Sequence, residues 1–147
     1  MPRIMAIDPG PSTGLALWDT DGAPYATTLQ RAEAEDFIVE RLDRDRPTVD
    51  VVVIEKFIIS QATAKKSRDG AVSIELIGLT RYLTRVAEVP LVEQPPSDAK
   101  MFSTDEKLKR IGWYVPGPDH ARDALRHLLV HAAEHGLVSV QSLLPDK

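Results

Sequence analysis

A chain of 147 residues is long enough for one domain with a substantial core and too short for two lobes closing over a nucleotide. Its 43% hydrophobic and 27% charged residues exclude a disordered or collagen-like chain, no window approaches the ~18 apolar residues of a membrane span, and the opening residues lack an export signal, so a cytoplasmic location is expected. The net charge of −4 argues weakly against a nucleic-acid partner, and zero cysteines leave only oxygen and imidazole ligands, which suit hard ions such as Mg²⁺ or Mn²⁺.

Residues 3–8 contain the run Ile4-Met5-Ala6-Ile7, and four apolar residues without polar alternation predict an inner strand covered on both faces. Pro9-Gly10-Pro11-Ser12 reads as a turn, Thr13 to Trp18 as a strand returning antiparallel, Asp19-Thr20-Asp21-Gly22 as a second turn and Ala23 to Leu29 as a third strand. Ala32 to Asp45 predicts a helix with Ala34, Phe37, Ile38, Arg41 and Leu42 along one side, closed by Pro47. Val51-Val52-Val53-Ile54 is another buried strand. A polar loop through Asp69-Gly70 leads to a helix from about Ala71 to Ala87.

That long helix carries one apolar stripe of Val72, Leu76, Leu79, Leu83 and Val86 and a second of Ile74 and Ile77. Two stripes suggest that it is covered twice, by the sheet and by another helix or a second subunit; a wholly intramolecular core explains them equally well. Pro90 to Glu93 reads as a short strand. A helix from Pro95-Pro96-Ser97 runs to about Ile111, and Pro116-Gly117-Pro118 separates it from a last helix with Ala121, Ala124, Leu125, Leu128, Leu129 and Ala132 inward, ending near Gly136. The order predicts an α/β fold in one domain over 1–147, a mixed five-stranded sheet with helices on both faces.

Asp8 and Glu55 each stand at the carboxyl end of a buried strand, and Asp119-His120-Ala121-Arg122-Asp123 opens the last helix. If the two strands are parallel neighbours, their ends lie roughly 5 Å apart. Like charges so gathered need a cation to offset their repulsion, which points to a divalent-metal site in an enzyme acting on phosphate esters. Charge is also uneven along the chain. Residues 1–50 carry five basic and ten acidic side chains, residues 51–110 ten and eight, and residues 111–147 three and four. In the basic middle, Lys56, Lys65, Lys66 and Arg68 form one cluster and Lys107, Lys109 and Arg110 another, either phosphate-binding or simply solvated.

Ile7-Asp8-Pro9-Gly10 with Thr13-Gly14, then Val53-Ile54-Glu55, Pro96-Ser97-Asp98-Ala99-Lys100 and His120-Ala121-Arg122-Asp123-Ala124-Leu125, taken in order, resemble the RuvC family of Holliday junction resolvases over about residues 3 to 133. The resemblance implies a ribonuclease H-like fold, a homodimer and metal-dependent cutting of branched DNA, namely four-way junctions and forks. The chain's size is similar to that of phage-encoded members. Asp8, Glu55, His120 and Asp123 would be the active-site and metal-binding positions, with two Mg²⁺ or Mn²⁺ ions and Asp8 bridging. His120 takes a place where family members carry an acid or a histidine; it could ligate metal or orient water. Lys100 matches a basic position near the family's active site, and Lys107 is a second candidate for holding phosphate.

Lys56, Lys65, Lys66 and Arg68 would then contact DNA. Phe57 resembles the aromatic residue that stacks on bases at the crossover in bacterial members. It stands two places after Glu55 rather than three, where Ile58 is found, so it suits core packing as well. Asp119 suits a helix cap or a ligand. Other readings are a nuclease of the same fold processing an RNA precursor, a nucleotide-binding ATPase-type domain, for which the chain is short, and a catalytically silent DNA-binding module.

Overall fold

The computed structural model describes residues 1–57 and 67–146, the side chains of 67–69 excepted. Five strands form one sheet: β1 (Ile4–Asp8), β2 (Ser12–Trp18), β3 (Tyr25–Gln30), β4 (Val51–Glu55) and β5 (Leu91–Gln94). Their order is β3-β2-β1-β4-β5, with β1, β4 and β5 parallel and the β1-β2-β3 meander antiparallel. The helices are α1 (Arg31–Arg41), α2 (Ser67–Ala87), α3 (Pro96–Phe102), α4 (Asp105–Arg110) and α5 (Asp119–Glu134), followed by a 3₁₀ turn at Val140–Leu143. No helix among the described residues is long and apolar enough to cross a membrane.

The apolar runs in β1 and β4 serve two cores at once. Side chains alternate across a strand, so Ile4, Ala6 and Val53 pack with Ala124, Leu125, Leu128, Leu129 and Ala132 of α5. Met5, Ile7, Val52 and Ile54 pack on the opposite face with Ala34 and Ile38 of α1 and Ile77 of α2. Helices therefore cover both faces of the mixed sheet, as the element order predicts. At α2 the burial differs in detail from the expected stripes: Leu76, Ile77, Thr80 and Thr84 are buried, whereas Val72, Leu79, Leu83 and Val86 are half-buried and Ile74 is exposed. The threonines fit inside because each hydroxyl donates to the carbonyl four residues back, at 2.8 Å.

Three boundaries need correction, the first at α1, which ends at Arg41 and not near Asp45. The long helix begins at Ser67, not near Ala71, because Gly70 is accommodated inside it. The single helix expected from Pro96 to about Ile111 is two helices broken at Ser103-Thr104. Thr104 caps α4 by accepting from the backbone N–H of Lys107, and Asp105 and Glu106 occupy the first turn, where acids complement the helix dipole.

Gly14 determines how closely α5 approaches the sheet. It pairs with Asp8 across β1 and β2, and a Cβ built on it would lie 1.8 Å from the carbonyl oxygen of His120 and 2.4 Å from its carbonyl carbon. Those atoms are backbone and cannot turn aside. Gly14→Ala should therefore push α5 off β2 and cost about 3 kcal/mol, read as a lower denaturation midpoint; an unchanged midpoint would refute this account of the contact.

Candidate active site

Strand register places the first three site groups. Ile4 pairs with Val51 and Ala6 with Val53, so the next residues on the same face are Asp8 and Glu55. Glu55 in turn pairs with Gln94 of β5. Three polar side chains thus line up across neighbouring parallel strand ends, on the side covered by α5. From α5 come His120, Asp123 and His127, spaced by three and four residues and hence on one helical face. Asp8, Glu55, His120, Asp123 and His127, together with Lys100 of α3, line a cleft of about 280 Å³, which also includes Gly10, Ser12, Ser73 and Arg126, with Gln94 buried behind it.

The electrostatics are uneven. Burial pushes the Asp8 carboxyl up to about 10, helped by its hydrogen bond with Glu55 and by the charges of Glu55 and Asp123, while Lys100 opposes the shift. Glu55 goes the other way. Its burial alone would raise it, but hydrogen bonds from His127 and Asp8, with the charges of His127 and Lys100, hold it down at about 2. The two carboxyls are thus pushed in opposite directions, Asp8 up and Glu55 down. His120 Nδ1 stands 3.8 Å from Asp8 Oδ2, and Asp123 accepts from Arg126 Nε at 3.3 Å. Arg126 is anchored in turn by donating to the carbonyl of Ser103 at 2.6 Å and by an ion pair with Asp105.

The donor set suits a hard divalent ion: three carboxylates and an imidazole around one cleft, one carboxyl kept neutral by a proton that a cation would replace. Among the described residues, no group of three or more such side chains is already placed to hold an ion.

All five expected catalytic residues, Asp8, Glu55, Lys100, His120 and Asp123, line this cleft. Other expected residues lie apart from it. Lys56 is exposed just beyond β4, with its backbone N–H donating to the Gln94 carbonyl at 2.7 Å. Phe57 packs on the second core and against Gly70 of α2. Lys107 turns back on α3, donating to the carbonyl of Phe102 at 2.8 Å and lying 4.2 Å over its ring. Asp119 is exposed and paired with Arg122. Ile58, Lys65 and Lys66 lie outside the described residues, as does the side chain of Arg68.

Sequence reasoning missed His127, Gln94 and Arg126. The spacing of His120, Asp123 and His127 was a usable signal for the first. Only strand pairing and the α3–α4 break bring in the other two.

No protein-family model matches the chain, and no curated protein matches it in sequence. Among solved structures, T. thermophilus RuvC in complex with Holliday junction substrate is similar at a TM-score of 0.67 and 19% identity, covering 93% of this chain and 98% of that one. A second Thermus thermophilus RuvC structure gives 0.66 and 19%, over 92% and 97%. The likeness is one of fold: this α/β chain has the ribonuclease H-like fold found in RuvC.

The neutral Asp8 carries a stability consequence. An unfolded chain releases this proton near 3.8 and the native chain holds it to about 10, so native stability falls as pH rises through that window. The lowered Glu55 completes its opposite contribution by about pH 4.5 and does not change above it. In metal-free buffer at about pH 8, Asp8→Asn should raise the melting temperature by several degrees, with the gain shrinking toward about pH 4. A gain that grows on acidification would contradict the assignment.

Proposed function

We propose that this chain is a metal-dependent, structure-selective DNA endonuclease, carried by one domain over 1–147, that cleaves Holliday junctions and related branched DNA by in-line hydrolysis, leaving 5′ phosphates. The observation that carries this reading is the meeting of Asp8, Glu55, His120, Asp123 and Lys100 in one cleft of a fold shared with RuvC. Branched DNA is favoured over an RNA precursor because the similar structure holds RuvC on Holliday junction substrate. No observation of the cleft favours an ATPase-type reading over a nuclease, whereas the similar structures are of RuvC.

Asp8, Glu55, His120 and Asp123 would hold Mg²⁺ or Mn²⁺, which when bound supply positive charge to activate water and stabilise the leaving 3′ oxygen. The protein's own groups do the rest. Lys100, exposed at the cleft, holds a non-bridging phosphate oxygen as negative charge redistributes in the transition state. His120, partly open to solvent at the mouth, completes the ligand set from the α5 side. Arg126 keeps Asp123 turned inward. Lys56, with Lys65, Lys66 and Arg68, grips the DNA backbone; Phe57, covered by α2, gives packing rather than a base contact. Lys107 braces α3 against α4.

Paired incisions across a junction need two sites related by a twofold axis. The surface that suits this is α2, where Ile74 and Tyr82 are exposed beside half-buried Leu79 and Val86. We expect a homodimer in a cytoplasmic setting, at DNA in a bacterial or phage-infected cell. Ile74→Arg should convert it to monomers in sedimentation; a wild-type monomer that still makes paired nicks would remove this arrangement.

The activity is tested with a synthetic four-way junction and its linear duplex, in Mn²⁺, Mg²⁺ or EDTA. Cutting should be confined to the junction and abolished by EDTA. Asp8→Asn should slow it by about a thousand-fold or more while junction binding persists. Equal cutting of both substrates would overturn structure selectivity, and cutting in EDTA would overturn the metal mechanism.

A further inference from the structure

His127 lies one turn beyond Asp123 in α5, is 1% exposed, and has a polar side chain within reach of each ring nitrogen. Its Nε2 stands 3.4 Å from Oε2 of Glu55 and its Nδ1 2.9 Å from the side-chain oxygen of Gln94. Gln94 is buried too, and its amide nitrogen has no hydrogen-bond partner among the described residues.

Few hydrogen placements satisfy this row. With the amide oxygen toward Nδ1, that nitrogen must carry a hydrogen; a bare Nε2 would then aim its lone pair at the Glu55 carboxylate, so Nε2 must carry one as well. With the amide turned over, its NH₂ donates to Nδ1, the amide oxygen takes the unpartnered place, and Nε2 again carries the hydrogen. Both consistent arrangements direct an N–H at Oε2. The alternative sets two acceptors against each other away from water, which costs several kcal/mol by the usual price of an unmet buried polar group, about 2–7 kcal/mol.

We propose that His127 is a positioning residue. Its Nε2–H, set by Gln94, holds one oxygen of Glu55 and leaves the other toward Asp8 and the cleft. Engaged at both nitrogens, the ring has no lone pair to offer an ion, so it acts through Glu55 and not as a fifth ligand. This deepens the nuclease reading, and only its kinetic arm rests on that reading.

The first measurement is independent of catalysis. Long-range proton–nitrogen NMR of the metal-free wild-type protein should show His127 Nε2 protonated, and still protonated after Mg²⁺ is added. A bare Nε2 in either spectrum overturns the proposal. For the kinetic arm, His127→Leu removes the donor, whereas His127→Gln keeps an N–H near the place of Nε2. The leucine variant should need about 10–100-fold more divalent ion for half-maximal junction cutting, with metal-free junction binding unchanged, and the glutamine variant should recover most of the loss. Equal losses in both, or an unshifted ion dependence in the leucine variant, would overturn it. If the wild type cuts nothing, the nuclease reading fails, and the NMR result alone decides the hydrogen placement. The same spectrum decides if the leucine variant does not fold.

Discussion

The contact between the bare backbone of Gly14 and the carbonyl of His120 sets the distance between the sheet and α5. The placing of His120 and Asp123 depends on it. Asp8 pairs with Gly14, so the point of closest approach lies beside the most buried carboxyl of the site. A side chain at 14 would lift the first turn of α5, withdrawing His120 and Asp123 together, since a helix moves as a unit. The hydrophobic stripe of Ala124, Leu125, Leu128 and Leu129 then holds the rest of α5 on β1 and β2. Small apolar residues at Ala6 and Ala16 make room on the sheet side. Close packing over an apolar floor thus delivers polar groups to the strand ends.

The three acids are compensated unequally, and that inequality is informative. Glu55 has His127, and Asp123 has Arg126. Among the described residues Asp8 has no such dedicated donor: His120 stands at 3.8 Å, Lys100 acts through its field, and its two acidic neighbours push against ionisation. The chain thus gives two of the carboxyls a nitrogen partner of their own, while burial and acidic neighbours push the third toward its neutral form. A site that served only to stabilise the fold would gain by placing an amide at position 8, with the same shape and a donor toward Glu55. Keeping a carboxyl there lowers stability at neutral pH, a cost expected where a charged ligand is wanted.

Much of this was legible in the residues. Uninterrupted apolar runs at 4–7 and 51–54 identify strands covered on both faces, and the acids ending them follow from position alone. The stripe of α5 and its boundary at Gly136 are equally plain. What could not be read is pairing. Gln94 looks like an ordinary strand-end amide until register sets it beside Glu55, and His127 looks like an interruption of an apolar stripe until that same register gives it two partners. Phe57 shows the reverse: an aromatic beside an acid suggests stacking, whereas the tertiary contact with Gly70 turns it inward. Lys107 was ambiguous for a related reason, since a helical lysine is compatible with both phosphate and a nearby carbonyl.

The break between α3 and α4 links these themes. A continuous helix would engage the Ser103 carbonyl in its own hydrogen-bond ladder. Ending α3 at Phe102 frees that carbonyl for Arg126, while the Ser103 hydroxyl donates to the carbonyl of Arg126 at 2.8 Å. Restarting at Thr104 brings Asp105 to the same guanidinium. Arg126 thereby ties α5 to the α3–α4 elbow at several points and still reaches Asp123. Lys100 sits on α3, one turn before the elbow, so this lysine and Asp123 are braced through one arginine. The residues of the break decide how rigidly the Asp123 side and the Lys100 side of the cleft face each other.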